Sequence, residues 1–157
     1  MLTTEVIDLL AGTDFSKTSI FAVGNTWKMD EGIAHFIVDG IKDKEKFMFV
    51  IDSLDRPEIN IANFAKQKPP VTIIITAAEF KGEAGVAKLI PLDLVGDLKF
   101  STNSFPIKVI ADIIKGESEG EVYFIAIQSR NLKFGNTISP EVKKTGEEIL
   151  DIINNRK

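Results

Sequence analysis

The chain predicts an α/β fold: a three-layer sandwich whose largely parallel five-stranded sheet carries helices on both faces. Three observations predict it. Strand-like and helix-like apolar patterns alternate along the sequence, as βαβ units require. The stretch Val71 to Ala77 is apolar without alternation, which marks a strand buried on both faces and therefore central. The apolar run Ser19 to Val23 passes through Gly24 toward the helical spacing of Ile33, Phe36, Ile37 and Ile41, a strand–loop–helix unit. A length of 157 residues suits one domain, residues 1–157, because roughly 100–200 residues per domain is usual.

The elements follow in order. A short helix over Thr3 to Ala11, opened by Thr3 or Thr4 and closed by Gly12, turns Val6, Leu9 and Leu10 to one side. Ser19 to Val23 is the first strand, and the helix carrying Ile33 to Ile41 follows it. Lys46 to Ile51 reads as the second strand, Glu58 to Lys66 as a helix, and Val71 to Ala77 as the third strand. Val86 to Ile90, set off by Gly82 and Gly85, is a short fourth strand whose tight connection leaves no room for a crossover and points to an antiparallel orientation. Behind Pro106, Ile107, Ile110, Ala111 and Ile114 fall at helical spacing. Glu121 to Ile127 is the last strand. Ser139 as N-cap and Pro140 at the first helical position open a C-terminal helix with Val142, Ile149, Ile152 and Ile153 on its apolar face, and Arg156 and Lys157 suit its terminal dipole.

Composition excludes several functions. A formal net charge of −4 without a basic cluster argues against nucleic acid as a partner. The absence of cysteine removes disulfides, thiolate nucleophiles and cysteine metal sites. The first dozen residues lack a basic segment and carry Glu5 and Asp8, unlike a signal peptide, and no apolar run approaches the ~18 residues of a membrane span. The expectation is a soluble, cytoplasmic protein without membrane insertion. No Gly-x-Ser-x-Gly, P-loop or dinucleotide fingerprint is present.

Ligands of open α/β sheets bind beyond the carboxyl ends of the strands. The loops at Gly24 to Gly32, Asp52 to Glu58, Thr76 to Glu79 and Ser101 to Pro106 are expected to converge there, giving a cleft with Asp30, Glu31, Asp52, Thr76, Glu79 and Asn103. Adjacent acids at a helix start can also do no more than complement its dipole. Asp52 and Asp30 are candidates for a carboxylate pair with divided pKa values, and ordinary turn and capping chemistry is the alternative. His35, the sole histidine, lies one helical turn beyond Glu31 and is either a weak alternative ligand or a packed helix residue. Trp27, the sole tryptophan, is a partner anchor or a loop prop.

The segments FAVGNTWKMDEG, IDSLDRPE, IIITAAEFKGEAGVAKLI, STNSFP and AIQSRNLKFGNTISPEVKK occur in this order over nearly the whole chain. Together they resemble the hydrogenase maturation endopeptidases. The first is similar to that family's Gly-Asn opening that ends in Asp, an acid and Gly. The second is similar to its aspartate loop ending in Pro-Glu, and the last to its I-Q-P and S-P-E-V elements. The resemblance implies a protease that removes the C-terminal extension of a nickel-iron hydrogenase large subunit after nickel insertion, with the large-subunit precursor as partner, the substrate's nickel as the recognised metal and no tightly bound cofactor. It further implies that an acid, an aspartate and a histidine bind that metal. Glu31 stands at the first position, Thr76 at the aspartate and Asn103 at the histidine, so two of these three ligands are replaced. A hydroxyl and an amide are poor substitutes toward nickel. Ser53 and Leu54 stand where the family tends to have glycines, and Ala34 replaces another. Glu79 falls where the family often has an acid and reads either as a supporting loop residue or, like His35, as a replacement for a lost ligand. A non-catalytic paralogue that binds a hydrogenase subunit during assembly is the alternative.

Overall fold

A computed structural model describes residues 1–98 and 106–156. Its elements are α1 (Thr4–Gly12), β1 (Thr18–Ala22), α2 (Ile33–Gly40), β2 (Phe49–Asp52), α3 (Ile61–Lys66), β3 (Val71–Ala78), β4 (Ala87–Leu89), α4 (Ile107–Ser118), β5 (Glu121–Gln128) and α5 (Pro140–Asn155). The strands form one sheet in the order β2-β1-β3-β5-β4, which puts the continuously apolar β3 at its centre.

The sheet is mixed, which corrects the expectation of a largely parallel one. β2, β1, β3 and β5 run parallel, while β4 pairs antiparallel with β5 through Ala87 with Ile127 and Leu89 with Ile125. The reason is length: residues 79–86 are too few for the chain to return to the start of the sheet, so β4 runs opposite to β3 and hence to β5, which is parallel to β3. The outer edge of β4 is not bare, since the Thr3 N–H donates to the Ala87 carbonyl and the Ala87 N–H to the Met1 carbonyl. Such cover protects an edge strand from stray pairing.

Alternation along the strands divides the interior in two. Ile20, Ala22, Ile73, Ile75, Ile125 and Ile127 pack with Leu10 of α1, Ile37 of α2 and Ile149 of α5. Their chain neighbours Phe21, Ile74, Phe124 and Ala126 pack with Phe64 of α3 and Ile110 and Ile114 of α4. Each fully buried isoleucine contributes on the order of 1.5–3 kcal/mol, so both clusters hold the sheet edge rigid beneath its loops.

Two boundaries differ from the sequence expectation. β2 starts at Phe49 rather than Lys46, because Lys44–Lys46 forms a 3-10 turn. Pro57–Ile59 is likewise a 3-10 turn, with α3 beginning only at Ile61. Among the described residues no helix is long and apolar enough to cross a membrane.

Candidate functional site

β1 and β2 end side by side, with Ala22 in register with Asp52. Beyond them, the Gly24 N–H donates to the Leu54 carbonyl at 2.8 Å, fastening the two loops together. Gly24 cannot carry a side chain here: a Cβ would lie 2.0 Å from the Glu31 carbonyl oxygen. The loop doubles back so closely that only glycine fits, which gives the glycine of FAVGNTWKMDEG its physical reason. Asn25 then accepts the Trp27 N–H at 2.9 Å in a local turn, and Met29–Gly32 forms a 3-10 turn leading into α2.

Both acids of that turn point inward, Asp30 at 0% and Glu31 at 2% exposure. Asp30 is fully engaged. Its Oδ2 accepts the N–H groups of Arg130 and Asn131 at 2.7 and 2.8 Å, and its Oδ1 accepts the Ser139 N–H at 2.6 Å. The Ser139 hydroxyl adds a fourth bond at 2.9 Å. One carboxylate thus organises the segment between β5 and α5. Ser139 was expected to cap α5 with its side chain, and it does not; its hydroxyl is drawn to Asp30 instead. A charged acceptor is the stronger partner.

Asp52 ends β2 and turns to α2. Its Oδ2 lies 2.5 Å from Nδ1 of His35, while its Oδ1 accepts the Leu54 N–H at 3.4 Å. The two aspartates weighed as a pair therefore have separate commitments, Asp30 to residues 130–139 and Asp52 to His35. Leu54 adopts φ 53°, a left-handed conformation that suits glycine, at one of the positions where the resemblance implies that residue. The Ser53 hydroxyl donates to the Ala22 carbonyl at 2.6 Å.

Thr76 lies within β3 rather than in the loop after it, at 1% exposure, and its hydroxyl donates to the Ala77 carbonyl at 3.3 Å. Glu79 is a loop fastener: it accepts the Gln128 side-chain amide and the Lys81 N–H, both at 2.7 Å. Gln128 in turn accepts the Phe80 and Gly82 N–H groups at 3.0 Å. Asn103 lies outside the described residues. Among the described residues no three His, Cys, Asp or Glu side chains are grouped to hold a metal ion. Trp27 is 67% exposed, which excludes a half-buried prop.

Sequence reasoning missed two features: the clasp of Asp30 by residues 130–139 and the pairing of His35 with Asp52. The first had a signal in the polar Ser139 before Pro140, read as a local cap. The second had none, since residues 17 apart on a helix and a strand carry no mutual mark.

The architecture gives the class: this is the fold of the hydrogenase maturation proteases, and the chain resembles one such protein in sequence as well. No family model matches it. A "putative hydrogenase maturation protease" of Methanocaldococcus jannaschii is 25% identical over 146 residues, spanning 87% of this chain and 86% of that protein. The solution structure of the endopeptidase HycI from Escherichia coli is similar with a TM-score of 0.78 and 22% identity, covering 87% of this chain and 88% of that one. The crystal structure of a [NiFe] hydrogenase maturation protease HycI from Thermococcus kodakarensis gives 0.76 and 22%, covering 97% and 100%.

Proposed function

We propose that this chain is a maturation endopeptidase that removes the C-terminal extension of a nickel-iron hydrogenase large-subunit precursor, with residues 1–157 working as one domain. The observation that carries the reading is the Gly24–Gly32 loop: it keeps Glu31 buried at the carboxyl edge of β1 within a fold that matches the maturation proteases over most of their length. α1, α2 and α5 against one core cluster, and α3 and α4 against the other, support the three-layer arrangement.

Nickel enters this reading as cargo of the substrate. Glu31 is the retained carboxylate, whereas Thr76 offers a neutral hydroxyl already given to a backbone carbonyl and Asn103 stands for the third ligand. The described residues do not fit a three-ligand nickel site.

The test is incubation with a nickel-loaded, unprocessed large subunit, followed by intact-mass measurement. Loss of the C-terminal extension is expected. A precursor that binds the protein stably yet keeps its full mass would replace this reading with a non-catalytic assembly role.

A further inference from the structure

His35 Nδ1 is held by Asp52 at 2.5 Å, and the other ring nitrogen, Nε2, has no hydrogen-bond partner among the described residues. The imidazole is one wall of a cavity of about 240 Å³ whose further walls include Trp27, Met29, Phe36, Asn136 and Ile138. A carboxylate on one nitrogen fixes the ring's orientation and tautomer, leaving the second nitrogen as a proton acceptor. The rest of the wall is apolar apart from Thr26, the Asn136 amide and the Asp39 carboxylate, a mixture that suits an extended peptide. Charges of both signs border it: Lys143 sits over the Phe36 ring at 5.9 Å, and Asp39 is itself in the wall.

We propose that His35 and Asp52 form an acid–base dyad acting on a peptide segment seated in this cavity, His35 as the catalytic residue and Asp52 as its positioning residue. The inference rests on the endopeptidase reading. Nε2 accepts a proton from water as the water oxygen bonds to the scissile carbonyl carbon. The carbon–nitrogen bond then breaks as that proton passes from Nε2 to the departing amine. The proton on Nδ1 stays there throughout, donated in a hydrogen bond to Asp52, whose charge stabilises the imidazolium between the two transfers.

Because His35 is the sole histidine, its ring nitrogens can be read without ambiguity in a long-range proton–nitrogen NMR spectrum of the intact protein. The neutral ring is expected to carry its proton on Nδ1 and to lose that preference in Asp52→Asn. A neutral parent ring protonated on Nε2 overturns the dyad. With the large-subunit precursor as substrate, His35→Gln is expected to lower kcat by about a hundredfold or more while KM stays within about threefold. A folded His35→Gln that keeps kcat within about threefold overturns the inference and leaves the endopeptidase reading standing. No cleavage by the parent removes both, so the two failures are distinguishable.

Discussion

Asp30 and Ser139, 109 positions apart, are joined twice, through the backbone N–H of Ser139 at 2.6 Å and through its hydroxyl at 2.9 Å. With the N–H groups of Arg130 and Asn131 on the same carboxylate, Asp30 is the point where the first loop and the β5–α5 segment are tied. Removing it strands buried donors. Asp30→Ala is expected to cost about 3–5 kcal/mol in urea unfolding, and Asp30→Asn less, since one acceptor oxygen remains. A change under about 1 kcal/mol for the alanine variant would show that the clasp does not hold the loop.

Leu54 supplies a prediction of opposite sign. Its φ of 53° puts a bulky side chain in the left-handed region, a strain of about 1–2 kcal/mol, and the side chain is 42% exposed. Leu54→Gly relieves the strain at some cost in chain entropy and is expected to be stabilising by about 0.5–1 kcal/mol. Leu54→Val, branched at Cβ, should be destabilising. The two midpoints in thermal unfolding should move apart; coincident midpoints refute the strain.

Glycine replacements separate close approach from mere helix propensity. A Cβ at Gly24 would meet the Glu31 carbonyl oxygen at 2.0 Å, whereas one at Gly116 in α4 meets nothing within 4 Å. Gly24→Ala should lose at least about 2 kcal/mol, and Gly116→Ala should gain about 0.5–1 kcal/mol. Calorimetry on both variants checks the pair, and a Gly24→Ala protein as stable as the parent would contradict the loop geometry.

Metal affinity tests the proposed ligand positions. Thr76 is 1% exposed, so Thr76→Asp buries a carboxylate and should cost on the order of 3 kcal/mol without a partner ion. Combined with Asn103→His, it should create a two-carboxylate, one-histidine site with Glu31. Nickel or cadmium should then raise the melting temperature of the double variant and leave the parent unmoved. A folded double variant indifferent to both ions would remove Thr76 and Asn103 from the ligand assignment.

Much of this protein is legible in its sequence because much of its structure is local or periodic. The unbroken apolar run of β3 announced a central strand, the short link before β4 announced its reversal, and Pro106 and Pro140 marked where α4 and α5 begin. Gly24 and the acids behind it marked the loop that follows the carboxyl end of β1. What each polar side chain would bind was another matter. Asp30 and Asp52 look alike in sequence, yet one is sealed among backbone donors some hundred positions away and the other meets an imidazole from α2. Ser139 has the sequence setting of a cap and serves a distant carboxylate instead. Backbone propensity is set by neighbours a few residues away and so is written along the chain. The partner of a buried charge is set by the register of strands and the docking of helices, because desolvation makes it take the strongest donors the assembled fold brings within reach.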